Sequence, residues 1–411
     1  MTLQQTNLSV PAKRLTTTAT VAALCAAAVM PAWAVEVTGF SAAELRLFTE
    51  KPAFAGQKKG SGLSAVLQPE FYHRTEDGLN TFAFTPFVRF DRNDTDRSHA
   101  DIRELSWIHT ADDWEVMAGM GKVFWGVMET KHVVDIINQT DSVEDIDGED
   151  KLGQPMVQGA IFRDWGTLRG FVMPYFREQT FPSRDGRLRG AVPVAADSPT
   201  YDGGLKQRTP DLALRYNHTL GDWDIGLAHF HGTSREARLL LGADGGGRAS
   251  LIPHYDRIDQ TSVDVQLTSD AWLWKMEAFT RSGQAERFNA VSAGLEYTFY
   301  QVYQTDADLG ALLELHRDDR ATTAPFNPLD EDAFAGVRLT MNDVDDTTLL
   351  AGIMVDTNDK DRAFSAEFSK RIGQRWKIEA DARFYFAASP SSGLGSFRDD
   401  DHIIFRLSRY F

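Results

Sequence analysis

The sequence predicts an all-β fold: a single transmembrane antiparallel β-barrel, most simply of 18 strands, with 16 as the runner-up count. Three observations carry that expectation. Apolar and polar residues alternate at period two, cleanest in Trp376-Lys377-Ile378-Glu379-Ala380-Asp381-Ala382-Arg383-Phe384, where the apolar and charged residues keep opposite parity. A strand sends successive side chains to opposite faces, so one face meets hydrocarbon and the other water. Turn residues interrupt this pattern at short intervals. Finally, Trp114, Trp223, Trp272 and Trp376 each begin a strand directly after a tight polar turn. That placement is expected of an aromatic girdle at one membrane interface, and a dry sandwich core would not require it.

Taken in chain order, residues 1–34 come first. They hold Lys13 and Arg14, no acid, an apolar run from Ala19 to Met30, and then Ala32-Trp33-Ala34. This is the pattern of a cleavable secretory signal, and the apolar run is shorter than the roughly 20 residues a spanning helix needs. Cys25 falls inside it, with Leu24 where a lipid-anchor signal wants a small residue, so no lipid anchor is expected. The mature chain, expected to start at Val35, then has no cysteine and no disulfide. Residues 35–411 form one domain. Strand cores are expected to begin near Val37, Leu63, Thr81, Asp101, Trp114, Met156, Leu168, Asp211, Trp223, Ser262, Trp272, Asn289, Leu309, Ala333, Thr348, Ala363, Trp376 and Asp401.

Connections are expected to alternate short and long. Thr75–Leu79, Asp164–Thr167 and Asp343–Asp346 would be inner turns. Glu50–Ser61, Gly126–Pro155, Glu178–Arg208 and Ser234–Ile258 would be outer loops. The formal charge of −16 argues against nucleic acid as a partner, and loss of the basic leader makes the chain more acidic still.

A barrel of this size is too wide for side chains to fill. Its channel-lining parity is expected to carry Arg89, Arg103, Glu115, Arg215, Lys275, Glu277, Arg338, Lys377, Glu379, Asp381 and Arg383. A lysine or arginine facing the bilayer midplane would cost about 2–4 kcal/mol, so charge belongs on the wet face. Arg89, Arg103 and Arg215 are expected to form a positive patch favouring anionic or neutral solutes. The third outer loop, residues 126–155, contains Val133, Val134, Ile136 and Ile137 at helical spacing, then Asn138, Asp141 and an acidic run to Asp150. Its apolar residues must bury against something, and the lumen or the rim is nearest; the loop is the candidate constriction. The acidic run fails the spacing of a calcium loop, and no metal site or cofactor is expected.

The last strand, with Ile403, Phe405, Leu407 and Phe411 on one parity, resembles the terminal strand of bacterial outer-membrane barrels, although Arg409 stands where an apolar residue is usual. That resemblance implies recognition by the barrel-assembly machinery. Arg103-Glu104, Gly121-Lys122, Trp125-Gly126, Asp135 and Asn138-Gln139-Thr140-Asp141 are similar to a hairpin of porin-like families, including alginate-export and related uncharacterised ones. Gln139 replaces a usual proline there. The resemblance implies a bacterial outer-membrane location, with lipid and lipopolysaccharide around the barrel and an oligomer allowed.

An enzyme would need a nucleophile with a positioned base, and no histidine lies in a recognisable catalytic pattern. His229 and His231 share one strand face but lack further ligands. No catalytic residue is assigned. The expected activity is passive diffusion of small hydrophilic solutes. The alternative is a structural or adhesive barrel with a plugged lumen and partner-binding outer loops.

Overall fold

Alternating strands leave unpaired backbone groups at both edges unless the sheet closes, and in lipid those groups have no water to bond. A computed structural model describing residues 35–328 and 330–411 shows that closure. The expected leader, residues 1–34, lies outside the described residues.

In chain order the strands are β1 (Glu36–Phe48), β2 (Gly62–Arg74), β3 (Asn80–Asp91), β4 (Ala100–Thr110), β5 (Trp114–Gly121), β6 (Gln154–Arg163), β7 (Gly166–Met173), β8 (Thr200–Tyr201), β9 (Asp211–Leu220) and β10 (Trp223–Thr233). There follow β11 (Arg238–Ala243), β12 (Ala249–Tyr255), β13 (Arg257–Ser269), β14 (Trp272–Gly283), β15 (Ala285–Phe299), β16 (Asp308–Asp318), β17 (Glu331–Thr340), β18 (Thr348–Asp356), β19 (Arg362–Ile372), β20 (Trp376–Phe386) and β21 (His402–Tyr410). All but β8, β11 and β12 form one 18-stranded sheet. Because β1 pairs antiparallel with both β2 and β21, that sheet is a closed barrel. The seam runs from Phe40 opposite Tyr410 to Phe48 opposite His402.

The two faces separate as the alternation requires. On β16, Leu313 and Leu315 are exposed on the outside while Glu314 between them is buried in the lumen. On β10, Leu227 faces out, and Ala228 and Phe230 face in. An outward apolar band of this kind is the surface a membrane barrel presents to hydrocarbon. Trp114, Trp223, Trp272 and Trp376 are all exposed at the starts of their strands. Trp272 also stacks on Trp274 at 5.6 Å and lies 4.6 Å from the Tyr297 ring, extending the belt.

Three local expectations are corrected. First, β13 and β15 start earlier than Ser262 and Asn289, and the outer turn between β14 and β15 shrinks to Gln284. A register shift between Arg281 and Gly283 makes this possible. Gly283 takes φ +103 there, and a Cβ would lie 2.0 Å from the Arg257 carbonyl oxygen. The inner connection after β15, by contrast, is long and contains a 3-10 turn, Val302–Gln304. Second, the outer loops expected at Glu178–Arg208 and Ser234–Ile258 hold strands of their own: β8, β11 and β12 make a separate small sheet. Third, no helix forms at Val133–Ile137, which is a run of turns and bends.

Candidate functional site: the lumen and its inserted loop

The connection between β5 and β6, residues 122–153, turns inward. Call it L3, since it is the third connection on its side of the barrel. Its apolar side chains explain the path. Trp125, Val134, Ile136 and Ile137 are buried with Met117, Met156, Phe171, Met173, Ala213, Ala228, Phe230 and Ile258, which are lumen-facing residues of β5–β7, β9, β10 and β13. Val133 packs against this cluster from its edge. The cluster that looked helical in the sequence is therefore the seam between loop and wall.

An irregular backbone buried this way must still find hydrogen-bond partners. Wall carboxylates supply them. Glu277 accepts from the backbone N–H groups of Val127 (2.6 Å), Met128 (2.9 Å) and Val134 (3.3 Å). Glu314 accepts from Glu129 N–H at 2.7 Å and from Thr130 N–H at 3.1 Å. Lys131 pairs with Asp332 at 2.5 Å. Gly126 has φ +145, and a Cβ would come within 2.9 Å of Glu277 Oε1, so only glycine lets the chain approach that carboxylate.

The motif residues pin the two arms of L3 together. Asn138, 1% exposed, donates from Nδ2 to the carbonyls of Gly121 (2.9 Å) and Leu152 (2.8 Å), and its Oδ1 accepts from Val123 N–H at 2.8 Å. Trp125 N–H donates to Asp135 Oδ1 at 3.3 Å. Asp141 takes Arg103 at 2.6 Å and the Thr180 hydroxyl at 2.7 Å.

The expected positive patch is corrected by these contacts. Arg89 is buried between Glu144 (2.5 Å) and Glu44 (3.1 Å). Arg103 is held by Asp101 and Asp141. Arg215 pairs with Asp264 at 2.8 Å and lies 5.0 Å from the Trp125 ring centroid. The acidic run of L3, counted from sequence as outer-loop charge, folds inward and neutralises two of these three cations. They act as struts and offer no free positive field.

The other predicted wall residues split into paired and water-facing groups. Arg338 binds Glu129 and reaches Glu296 at 3.4 Å, with Lys275 3.9 Å from the same Glu296. Lys377 pairs with Glu379 at 2.7 Å. Arg383 bridges to Asp147 (2.7 Å), Asp145 (3.4 Å) and Glu367 (3.5 Å). Asp381 has no basic partner within ion-pair distance among the described residues. Glu115 accepts from the Thr110 hydroxyl at 3.1 Å and lines a cavity of about 440 Å3 with Lys122, Arg103 and Glu70. A second cavity, about 260 Å3, is lined by His132, Asp147, Glu149 and Lys151 of L3 together with Arg281 and Asp318. L3 side chains that meet water include Lys122, Phe124, Asp147, Glu149 and Asp150.

The electrostatics of L3 follow from its packing. Burial alone would raise Asp141, but the His99 hydrogen bond and the Arg103 charge hold it well below the usual range. Burial and the neighbouring Asp145 carboxylate push Asp147 up to about 7, against the pull of Arg383. For His132, burial favours the neutral ring, yet its 2.9 Å contact with Glu149 outweighs that and raises its pKa.

Among the described residues, two groups of three combine a histidine with two carboxylates: His99, Asp141 and Glu144, and Asp202, His254 and Asp256. Each already carries arginine counter-charge, from Arg103 and Arg89 in the first and Arg238 in the second. That donor set suits an ion-pair lattice better than a metal ion. His229 and His231 share Asp259, at 3.9 and 2.8 Å, on the outer face.

No protein-family model matches the chain, and no curated protein matches it. Solved structures do match in fold. A BenF-like porin from Pseudomonas fluorescens Pf-5 aligns over 92% of this chain and 97% of its own, at 12% identity and a TM-score of 0.53. OccK11 (OpdR) of Pseudomonas aeruginosa aligns over 92% and 94%, at 9% identity and a TM-score of 0.50. The chain therefore has a porin-like barrel fold.

Proposed function

We propose that this chain is a bacterial outer-membrane channel through which small hydrophilic solutes diffuse passively, narrowed by L3. The supporting observation is the state of the loop. It is docked against the wall, yet Phe124 remains 57% exposed, the Glu149 side chain is half exposed, and cavities of about 440 and 260 Å3 adjoin it. A loop sealing the barrel would bury these groups. On this reading Val133, Val134, Ile136 and Ile137 anchor the constriction, Asn138 and Asp141 set its shape, and the charged wall residues line the passage. Lipid and lipopolysaccharide surround the apolar band, and the terminal strand is read by the assembly machinery. One of the matched solved structures, the BenF-like protein, is named a porin, which agrees with this reading.

A plugged structural barrel is the competing reading, favoured by the breadth of contacts between L3 and the wall. Single-channel recording in planar bilayers separates the two. Stepwise conductance from the purified full chain supports the channel. Conductance near zero, unchanged on shortening L3, supports the plug.

A further inference from the structure

The passage beside L3 faces a ladder on β20 in which Lys377, Glu379, Asp381, Arg383 and Tyr385 occupy every second position. Lys377 is matched by Glu379, and Arg383 is shared among Asp145, Asp147 and Glu367. That leaves Asp381 without a basic partner among the described residues, and Glu367, whose side chain is 46% exposed, with only a share of one guanidinium. Glu129 and Glu149 of L3 also bear on Glu367, each with a cation of its own, Arg338 for Glu129 and His132 for Glu149. Against Asp381 and Glu367 stand Lys122 of L3, the half-buried Arg169 on the inward parity of β7, which holds no ion pair among the described residues, and Arg406, about one-third exposed and taken by Glu44. Arg89, Arg103 and Arg215 are buried in their own pairs.

One further feature is independent of that charge balance. Phe124 presents an exposed ring in the lumen, 4.7 Å edge-on from His132, which itself binds Glu149. Carboxylates and an aromatic face together suit an ammonium compound.

We infer that the narrow part of the channel selects small organic cations, drawn in by Asp381 and Glu367 and passed across the ring of Phe124. The inference rests on the channel reading above, and the test separates the two. The full chain is reconstituted in planar bilayers, and reversal potentials are measured in gradients of potassium chloride, choline chloride and potassium gluconate. The expected results are potassium preferred over chloride, and choline permeating severalfold better than gluconate. Glu367→Gln combined with Asp381→Asn should lower the cation preference severalfold. Should the double variant fail to assemble, Asp381→Asn alone carries the test, because that carboxylate holds no ion pair. Phe124→Ala should reduce choline permeation more than potassium permeation.

Chloride preference in the unmodified chain, or a cation preference unaltered by removing these carboxylates, overturns the inference. Equal loss of choline and potassium in Phe124→Ala overturns the role of the ring. No conductance at all defeats the channel reading itself.

Discussion

At the scale of single residues, Glu277 shows how L3 is kept in place. One buried carboxylate serves three backbone N–H groups of an irregular segment that has no ladder of its own. In Glu277→Ala those donors lose their acceptor at about 1–3 kcal/mol for each group left buried and unsatisfied. The expected outcome is a lower unfolding temperature in detergent and larger, noisier single-channel currents. A quiet channel of unchanged size would contradict the role given to Glu277. The sequence put Glu277 on the wet face but could not reveal its partners, which lie about 150 positions away. The same limit explains the arginines. Arg89, Arg103 and Arg215 were legible as lumen residues by parity, whereas their neutralisation depends on where L3 goes. Only the apolar content of L3 hinted at that path.

Residues of L3 also set a pH dependence. The Asp147 carboxyl, ordinarily near 3.8, is raised to about 7, so the docked loop binds its proton more tightly than the undocked chain. That contribution is present at acid pH and is lost as pH rises through the interval between those values. His132 is raised above its ordinary 6.5, so its contribution is complete below 6.5 and is lost as pH climbs through the raised value. Both groups act in the same direction. L3 should loosen on the alkaline side, seen as faster protease cleavage within 126–150 and greater current noise at high pH. Asp147→Asn should remove the lower part of this dependence and leave the part due to His132. Cleavage that slows as pH rises would refute the assignment.

At the scale of elements, L3 is the one connection whose length and composition both signalled a role. Shortening it between Val127 and Glu149 should raise conductance severalfold while the barrel still assembles, because none of the strand pairs involves it. Unchanged conductance would place the narrowest point elsewhere. The strands themselves were legible because lipid and water impose opposite demands on alternate residues, and the Trp-after-turn phase marked one rim. What resisted was detail without a periodic signal. The outer turn at Gln284 depends on a bulge, and its side chain donates to Ser234 Oγ at 2.9 Å and to the Glu236 carbonyl at 3.0 Å. The small sheet of β8, β11 and β12 joins segments some fifty residues apart. Neither follows from local pattern.

At the scale of the whole molecule, closure is the property on which everything else depends, and its seam carries a specific lock. Glu44 on β1 sits opposite Arg406 on β21 and binds it at 2.9 Å across the seam. The same carboxylate takes Arg97 at 2.7 Å and Arg89 at 3.1 Å, and Arg89 also holds Glu144 of L3. One buried acid therefore ties the first strand, the last strand, the loop after β3 and the inserted loop into a single network. Removing one partner from such a network leaves uncompensated buried charge, at a cost of about 3–5 kcal/mol. Glu44→Ala should accordingly lower the temperature at which the barrel stops migrating as a compact species on unheated gels, and it should free L3 as well. Glu277→Ala is the informative comparison, since it loosens the loop without touching the seam. If both variants lower barrel stability equally, the seam has no special weight. If Glu44→Ala lowers it further, closure and constriction are coupled through that one carboxylate.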